Sequence, residues 1–125
     1  MFTYLFSNGD ADFKNFSLIK TELGDYKLSP AYDLLNSRIH VAGKDFALDD
    51  GLLLPALSKG KVHEVFLKLG EMAQINRNLI DDTFSLLTSK KDDVLSLISH
   101  SYLSDKLKRN YEQAYLTRLK NLIRN

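Results

Sequence analysis

Two stretches decide the reading of this chain: Asn8-Gly-Asp-Ala-Asp-Phe-Lys-Asn-Phe-Ser-Leu-Ile19 and Tyr26-Lys-Leu-Ser-Pro-Ala-Tyr-Asp-Leu-Leu-Asn-Ser-Arg-Ile-His-Val41. The first opens on a polar loop and turns into an alternating segment from Asn15 to Thr21, which predicts a strand. Glu22-Leu-Gly-Asp25 is a turn signal, and Tyr26–Ser29 predicts a second short strand, so the two stretches form a β-hairpin closed by a glycine-containing loop. Pro30 stops the pairing because it has no N–H to donate. Residues 31–36 are expected to form a short helix.

Outward from the hairpin, the chain divides into two unlike parts. Residues 1–60 carry Gly9, Gly24, Gly43, Gly51, Gly60, Pro30 and Pro55, whereas residues 61–125 carry only Gly70. Few helix breakers permit long helices. Val62, Val65, Phe66, Leu69, Met72 and Ala73 follow helical spacing. So do Leu79, Ile80, Thr83, Phe84 and Leu87, with Asn76 placed to cap their start. Val94, Leu95, Leu97, Ile98 and Tyr102 predict a third, shorter helix starting near Asp92, and Leu103, Leu107, Tyr111, Ala114, Tyr115, Leu119 and Leu122 a longer fourth, with Ser104 placed to cap its start. Four amphipathic helices must bury their stripes against one another, so 61–125 reads as a helical bundle and 1–60 as a loop-and-hairpin segment of the same domain. Phe2, Tyr4, Leu5 and Phe6 predict the end of one more helix. Residues 37–60 read as irregular, anchored by Phe46, Leu48 and Leu52–Leu54.

Composition narrows the function classes. Lys and Arg total 17 against 16 Asp and Glu, which gives no bulk attraction for nucleic acid or an anionic membrane. Without cysteine there is no disulfide framework and no thiolate zinc site. No apolar run reaches membrane-spanning length, and the first residues lack a basic leader, so a soluble cytoplasmic domain is expected. His40, His63 and His100 have no ligand partner at useful spacing and are expected to be structural or surface residues. The cations Lys106, Lys108, Arg109, Arg118, Lys120 and Arg124 read as the wet side of the last helix, while Tyr102, Tyr111 and Tyr115 read as core.

The chemistry gathers at Asp10, Asn15 and Asp33. A hairpin that folds the chain back brings Asp33 near Asn15. One carboxylate and one amide oxygen then suit magnesium, a hard cation that prefers oxygen. A second carboxylate, Asp10, is left to orient and deprotonate a hydroxyl. Protein kinases place a catalytic Asp five residues before a metal-binding Asn and a second metal-binding Asp further on; here Asp10 precedes Asn15 by five, and Asp33 follows the hairpin.

On these residues the chain resembles the HipA-like kinases, bacterial toxin-type serine/threonine kinases of two lobes. Their catalytic loop reads approximately N-x-D-x-H-x-K-N-F and their metal-binding segment L-x-P-x-Y-D-x-L. The resemblance is strong over residues 4–41 and general beyond. It implies a mainly α fold with a small β-hairpin, the C-lobe portion of that kinase fold. It also implies a catalytic role for Asp10, with Lys14 supporting the loop. Asn15, Asp33 and Tyr32 fall on cofactor-binding positions, Asn15 and Asp33 as ligands of Mg2+ bound with ATP. The implied partners are a protein substrate, an antitoxin and a separate N-lobe.

Two departures matter. Asp12 stands where the family usually has His, and two charges ~4 Å apart at an effective dielectric near 20 interact by roughly 4 kcal/mol, enough to slow phosphoryl transfer. Nor do residues 1–125 contain a Gly-rich phosphate loop: Ser58-Lys-Gly-Lys61 lacks the spacing. The isolated chain is therefore expected to have negligible kinase activity, and a non-catalytic module that binds an antitoxin or an N-lobe is the alternative reading. The apolar first helix and hairpin are expected to pack on something else, which for the isolated chain means a homodimer.

Overall fold

The computed structural model describes residues 1–9, 13–37 and 59–123. Among them are five α-helices and one two-stranded antiparallel sheet: α1 (Phe2–Leu5), β1 (Leu18–Lys20), β2 (Tyr26–Leu28), α2 (Val62–Met72), α3 (Arg77–Ser89), α4 (Lys91–His100) and α5 (Asp105–Ile123). A single 3-10 turn, Phe13–Asn15, precedes β1. Phe46, Leu48 and Leu52–Leu54 lie outside the described residues, as do Asp10 and Asp12.

The hairpin pairs Leu18 with Leu28, Ile19 with Lys27 and Lys20 with Tyr26. Its turn closes through Thr21, whose N–H donates to the Asp25 carbonyl at 2.8 Å and whose carbonyl accepts from the Gly24 N–H at 3.0 Å. Gly24 supplies the positive φ of 87° that this loop needs. Asn76 caps α3 as its residue type predicts, its side-chain oxygen accepting from the Asn78 N–H at 2.9 Å. Ser104 stands at the start of α5, where its hydroxyl lies 3.5 Å from the Leu107 nitrogen.

The longest helix, α5, is the hub: α1, α2, α3 and α4 all pack against it. Its Tyr115, Leu119 and Leu122 join Tyr4, Leu5, Phe66, Ile80 and Phe84 in one core. Leu5, Tyr115 and Leu122 are the largest fully buried side chains, and each removes apolar surface worth roughly 1.5–3 kcal/mol. Phe6 stacks on Tyr115 with ring centroids 5.6 Å apart, and Tyr4 meets Phe66 edge-on at 5.8 Å. His63 is structural, its Nδ1 lying 2.9 Å from the Leu122 carbonyl and its ring 4.3 Å from that of Phe84.

Four expectations change. Residues 31–36 form no helix, because Asp33 takes a φ of +56°, outside the right-handed helical region. Tyr102 is fully exposed rather than core, since it lies in the bend between α4 and α5. Arg118 is buried at 5% exposure rather than wet, being on the face that carries Tyr115 and Leu122. Helix α1 is already covered by α5, whereas both hairpin strands remain exposed. Among the described residues no helix is long and apolar enough to cross a membrane.

Candidate functional site

The polar groups of the site sit where the end of α1, the 3-10 turn and the segment after β2 converge. The Asn15 Nδ2 donates to Asp33 Oδ2 at 3.0 Å across 18 residues of sequence. That closure is made by the hairpin: the β1–β2 ladder, extended by the Ser29 N–H donating to the Ser17 carbonyl at 2.8 Å, brings the chain after β2 back beside the residues before β1. Tyr32 then fixes the relation between the two arms. Its hydroxyl donates to the Lys14 carbonyl at 3.1 Å and lies 2.8 Å from Ser17 Oγ. Tyr32 therefore braces the peptide that carries Asn15.

A second set of contacts ties this pair to the body. The Asn8 Nδ2 lies 3.5 Å from the Asp33 carbonyl. The Ser7 carbonyl accepts from the Ser37 N–H at 3.1 Å and from its hydroxyl at 3.2 Å, and the Gly9 N–H donates to Ser37 Oγ at 2.7 Å. Ser7 and Asp33 both adopt left-handed backbone conformations, with φ of 57° and 56°. Such conformations cost residues that carry a Cβ roughly 1–2 kcal/mol and persist where the surroundings over-determine them.

Beside the pair lies a cavity of about 290 Å³ lined by Phe2, Thr3, Asn8, Asn15, Phe16, Leu28 and residues 29–34. Its wall is largely apolar, with Asn8, Asn15 and Asp33 as polar points, the arrangement that suits a small ligand with an apolar body and a charged end. Among the described residues no three His, Cys, Asp or Glu come together, so a closed protein cage for a cation is not present there.

The donor set does fit magnesium. Half a turn of the Asn15 amide exchanges Nδ2 for Oδ1 and presents two oxygens 3.0 Å apart. Adjacent ligands of an octahedral Mg2+ at 2.0–2.1 Å are about 3 Å apart, and this ion usually keeps waters and substrate phosphates as its other ligands.

The family follows from the match to known proteins. The model of the HipA-like C-terminal domain matches residues 1–98, which include the hairpin, Asn15, Asp33 and helices α1 to α3. The chain belongs to that family. This HipA-like domain is also similar to a protein of Sinorhizobium fredii (strain NBRC 101917 / NGR234) named "Putative kinase Y4dM", 35% identical over 86 residues. The similarity covers 66% of the chain and 20% of that relative, so the chain spans about a fifth of the length of the protein it matches.

Of the residues singled out from sequence, the structure brings Lys14, Asn15, Tyr32 and Asp33 together; Asp10 lies outside the described residues. Sequence reasoning missed Ser7, Ser37 and Arg118. The two serines carry no pattern that separates them from loop residues. Arg118 did carry one: it stands three residues after Tyr115 and four before Leu122, a charge on an apolar face.

Proposed function

We propose that this HipA-like domain is the magnesium- and phosphate-holding part of a serine/threonine protein kinase of toxin-antitoxin type. The observation that carries the reading is the 3.0 Å contact between the Asn15 amide and the Asp33 carboxylate at the rim of an apolar cavity. Asn15 and Asp33 would hold Mg2+, which when bound with ATP neutralises charge on the phosphates in transfer. Asp10 orients the substrate hydroxyl and takes its proton, Lys14 supports the loop through its position between Asp10 and Asn15, and Tyr32 holds the Lys14 carbonyl in place.

Residues 1–125 contain neither a Gly-rich phosphate loop nor a V-A-I-K-type strand lysine. In this reading an N-lobe, on another segment or another chain, supplies the second wall of the nucleotide cleft, and the 125-residue chain alone turns over negligibly. The exposed hairpin, with Leu18 at 67% and Leu23 at 94% exposure, favours a second reading in which the domain is a protein-binding module for an antitoxin or an N-lobe.

Calorimetry with Mg-ATP distinguishes them. Heat of Mg2+ or Mg-ATP binding that disappears in Asn15→Ala and Asp33→Ala, and that tightens when an N-lobe is added, supports the kinase. Binding of partner protein with no Mg2+ or Mg-ATP heat under any condition supports the module and refutes the kinase reading.

A further inference from the structure

A buried arginine from the far end of the chain holds the segment on which the candidate site is built. Arg118 lies on α5, twenty residues beyond the stretch matched by the family model. Its Nη1 donates to the Tyr4 carbonyl at 2.9 Å and to Ser7 Oγ, and its guanidinium carbon lies 5.3 Å from the centre of the Tyr4 ring. Tyr4, Ser7 and Arg118 are all at most 5% exposed. A guanidinium removed from water is costly unless its donors are satisfied, so its acceptors have to stay where they are. One acceptor is the last turn of α1. The other is the residue at which the chain turns left-handed out of that helix.

From Ser7 the contacts run on without a gap. The Ser7 carbonyl takes both hydrogen bonds from Ser37, Ser37 Oγ takes the Gly9 N–H, and Asn8 reaches the Asp33 carbonyl, whose side chain meets Asn15. Gly9 immediately precedes Asp10 in sequence. We infer that Arg118 is a positioning residue: it fixes the left-handed exit at Ser7 and thereby the spacing of Asn15 and Asp33. The inference rests on the proposed metal-holding role of that pair for its function, but the placement itself is a matter of this chain alone. A residue whose only task was to fill the core at this place is an apolar one; a charged nitrogen that bonds a carbonyl and a hydroxyl together gives direction as well as volume.

The test uses the 125-residue chain carrying Arg118→Met, Arg118→Lys or Ser7→Ala, followed by NMR. Hydrogen exchange is read at the Gly9 amide and the Asn15 side-chain amide, with α3 amides such as that of Phe84 as the reference for general stability. Mn2+ affinity is read from paramagnetic broadening near Asp33. Arg118→Met is expected to speed exchange at Gly9 about tenfold more than at Phe84 and to weaken Mn2+ about tenfold, with Arg118→Lys restoring both to within about threefold of the parent. Ser7→Ala, which keeps the arginine and deletes one acceptor, moves both readings in the same direction by about threefold.

Equal acceleration at Gly9 and Phe84, or unchanged Mn2+ affinity in a folded Arg118→Met, overturns the inference. Should Arg118→Met fail to fold, Ser7→Ala decides by the same comparison. Parent protein that does not bind Mn2+ refutes the metal-holding role, and the exchange comparison then still judges whether Arg118 places the loop.

Discussion

Asp33 combines two demands that a pair of substitutions separates. It is the carboxylate opposite Asn15, and its backbone stands at φ +56°. Replacing it by Gly or by Ala deletes the carboxylate equally, and the exposed hydrogen bond from Asn15 is lost in both, at about 0.5 kcal/mol. The backbone responds differently. A Cβ in the left-handed region costs roughly 1–2 kcal/mol, against which glycine's greater freedom in the unfolded chain counts roughly 0.5–1 kcal/mol. Asp33→Ala should therefore be less stable than Asp33→Gly by about 0.5–1 kcal/mol, and by the usual unfolding entropy per residue a chain of this size shifts its Tm by about 4 °C per kcal/mol. Thermal melts of the two variants and the parent, each with and without Mg2+, read both terms. Asp33→Gly is expected to melt within about 2 °C of the parent, and Asp33→Ala about 2–4 °C below the glycine variant. Neither variant gains stability from Mg2+. An alanine variant as stable as the glycine one refutes the backbone argument, while Mg2+ stabilisation retained in both refutes Asp33 as a ligand.

The remaining predictions concern the core. Tyr115 is fully buried and its hydroxyl has no hydrogen-bond partner among the described residues, so Tyr115→Phe should raise stability by about 1 kcal/mol in urea unfolding. Burial, with a smaller contribution from Tyr111, pushes the Tyr115 hydroxyl above its usual range, and burial does the same at Tyr111. Above pH 10 the unfolded chain thus releases protons that the folded one keeps. Stability is complete below that pH and falls as pH rises through the folded values; pH melts should show Tyr115→Phe resisting alkali better than the parent. Gly70 lies where α2 meets α3, and a Cβ there would stand 2.5 Å from Ile80 Cδ1 and 3.0 Å from its Cγ1. Overpacking of roughly 1–3 kcal/mol outweighs the roughly 1 kcal/mol that alanine gains in a helix interior, so Gly70→Ala should lower the urea midpoint.

Local signals in the sequence were reliable where the forces are local. The hairpin follows from alternation on either side of Gly24, and α3 begins at Asn76 because that side chain satisfies an N–H which the helix leaves open. The juxtaposition of Asn15 and Asp33 was legible for the same reason, since a hairpin returns the chain by geometry alone. What was not legible depends on partners far away in sequence. Residues 31–36 look helical by composition, but Asp33 is drawn out of helical space in a segment fastened to Ser7 and Asn8. Helix α1, four residues long, looked like half of an interface, and the missing half proved to be α5 of the same chain. Arg118 was read by its charge when its position between Tyr115 and Leu122 was the better guide. Tyr102 shows the converse error: helical spacing was extended past Ser101, where the helix has already ended.

The bond from Arg118 to Tyr4 joins residues 114 positions apart. During synthesis the residues around Asn15 leave the ribosome well before the guanidinium that braces them. A nascent chain still short of α5 has neither the hub of its core nor the fastening of its first turn. Fixing of the Asn15–Asp33 pair thus waits until α5 has been made.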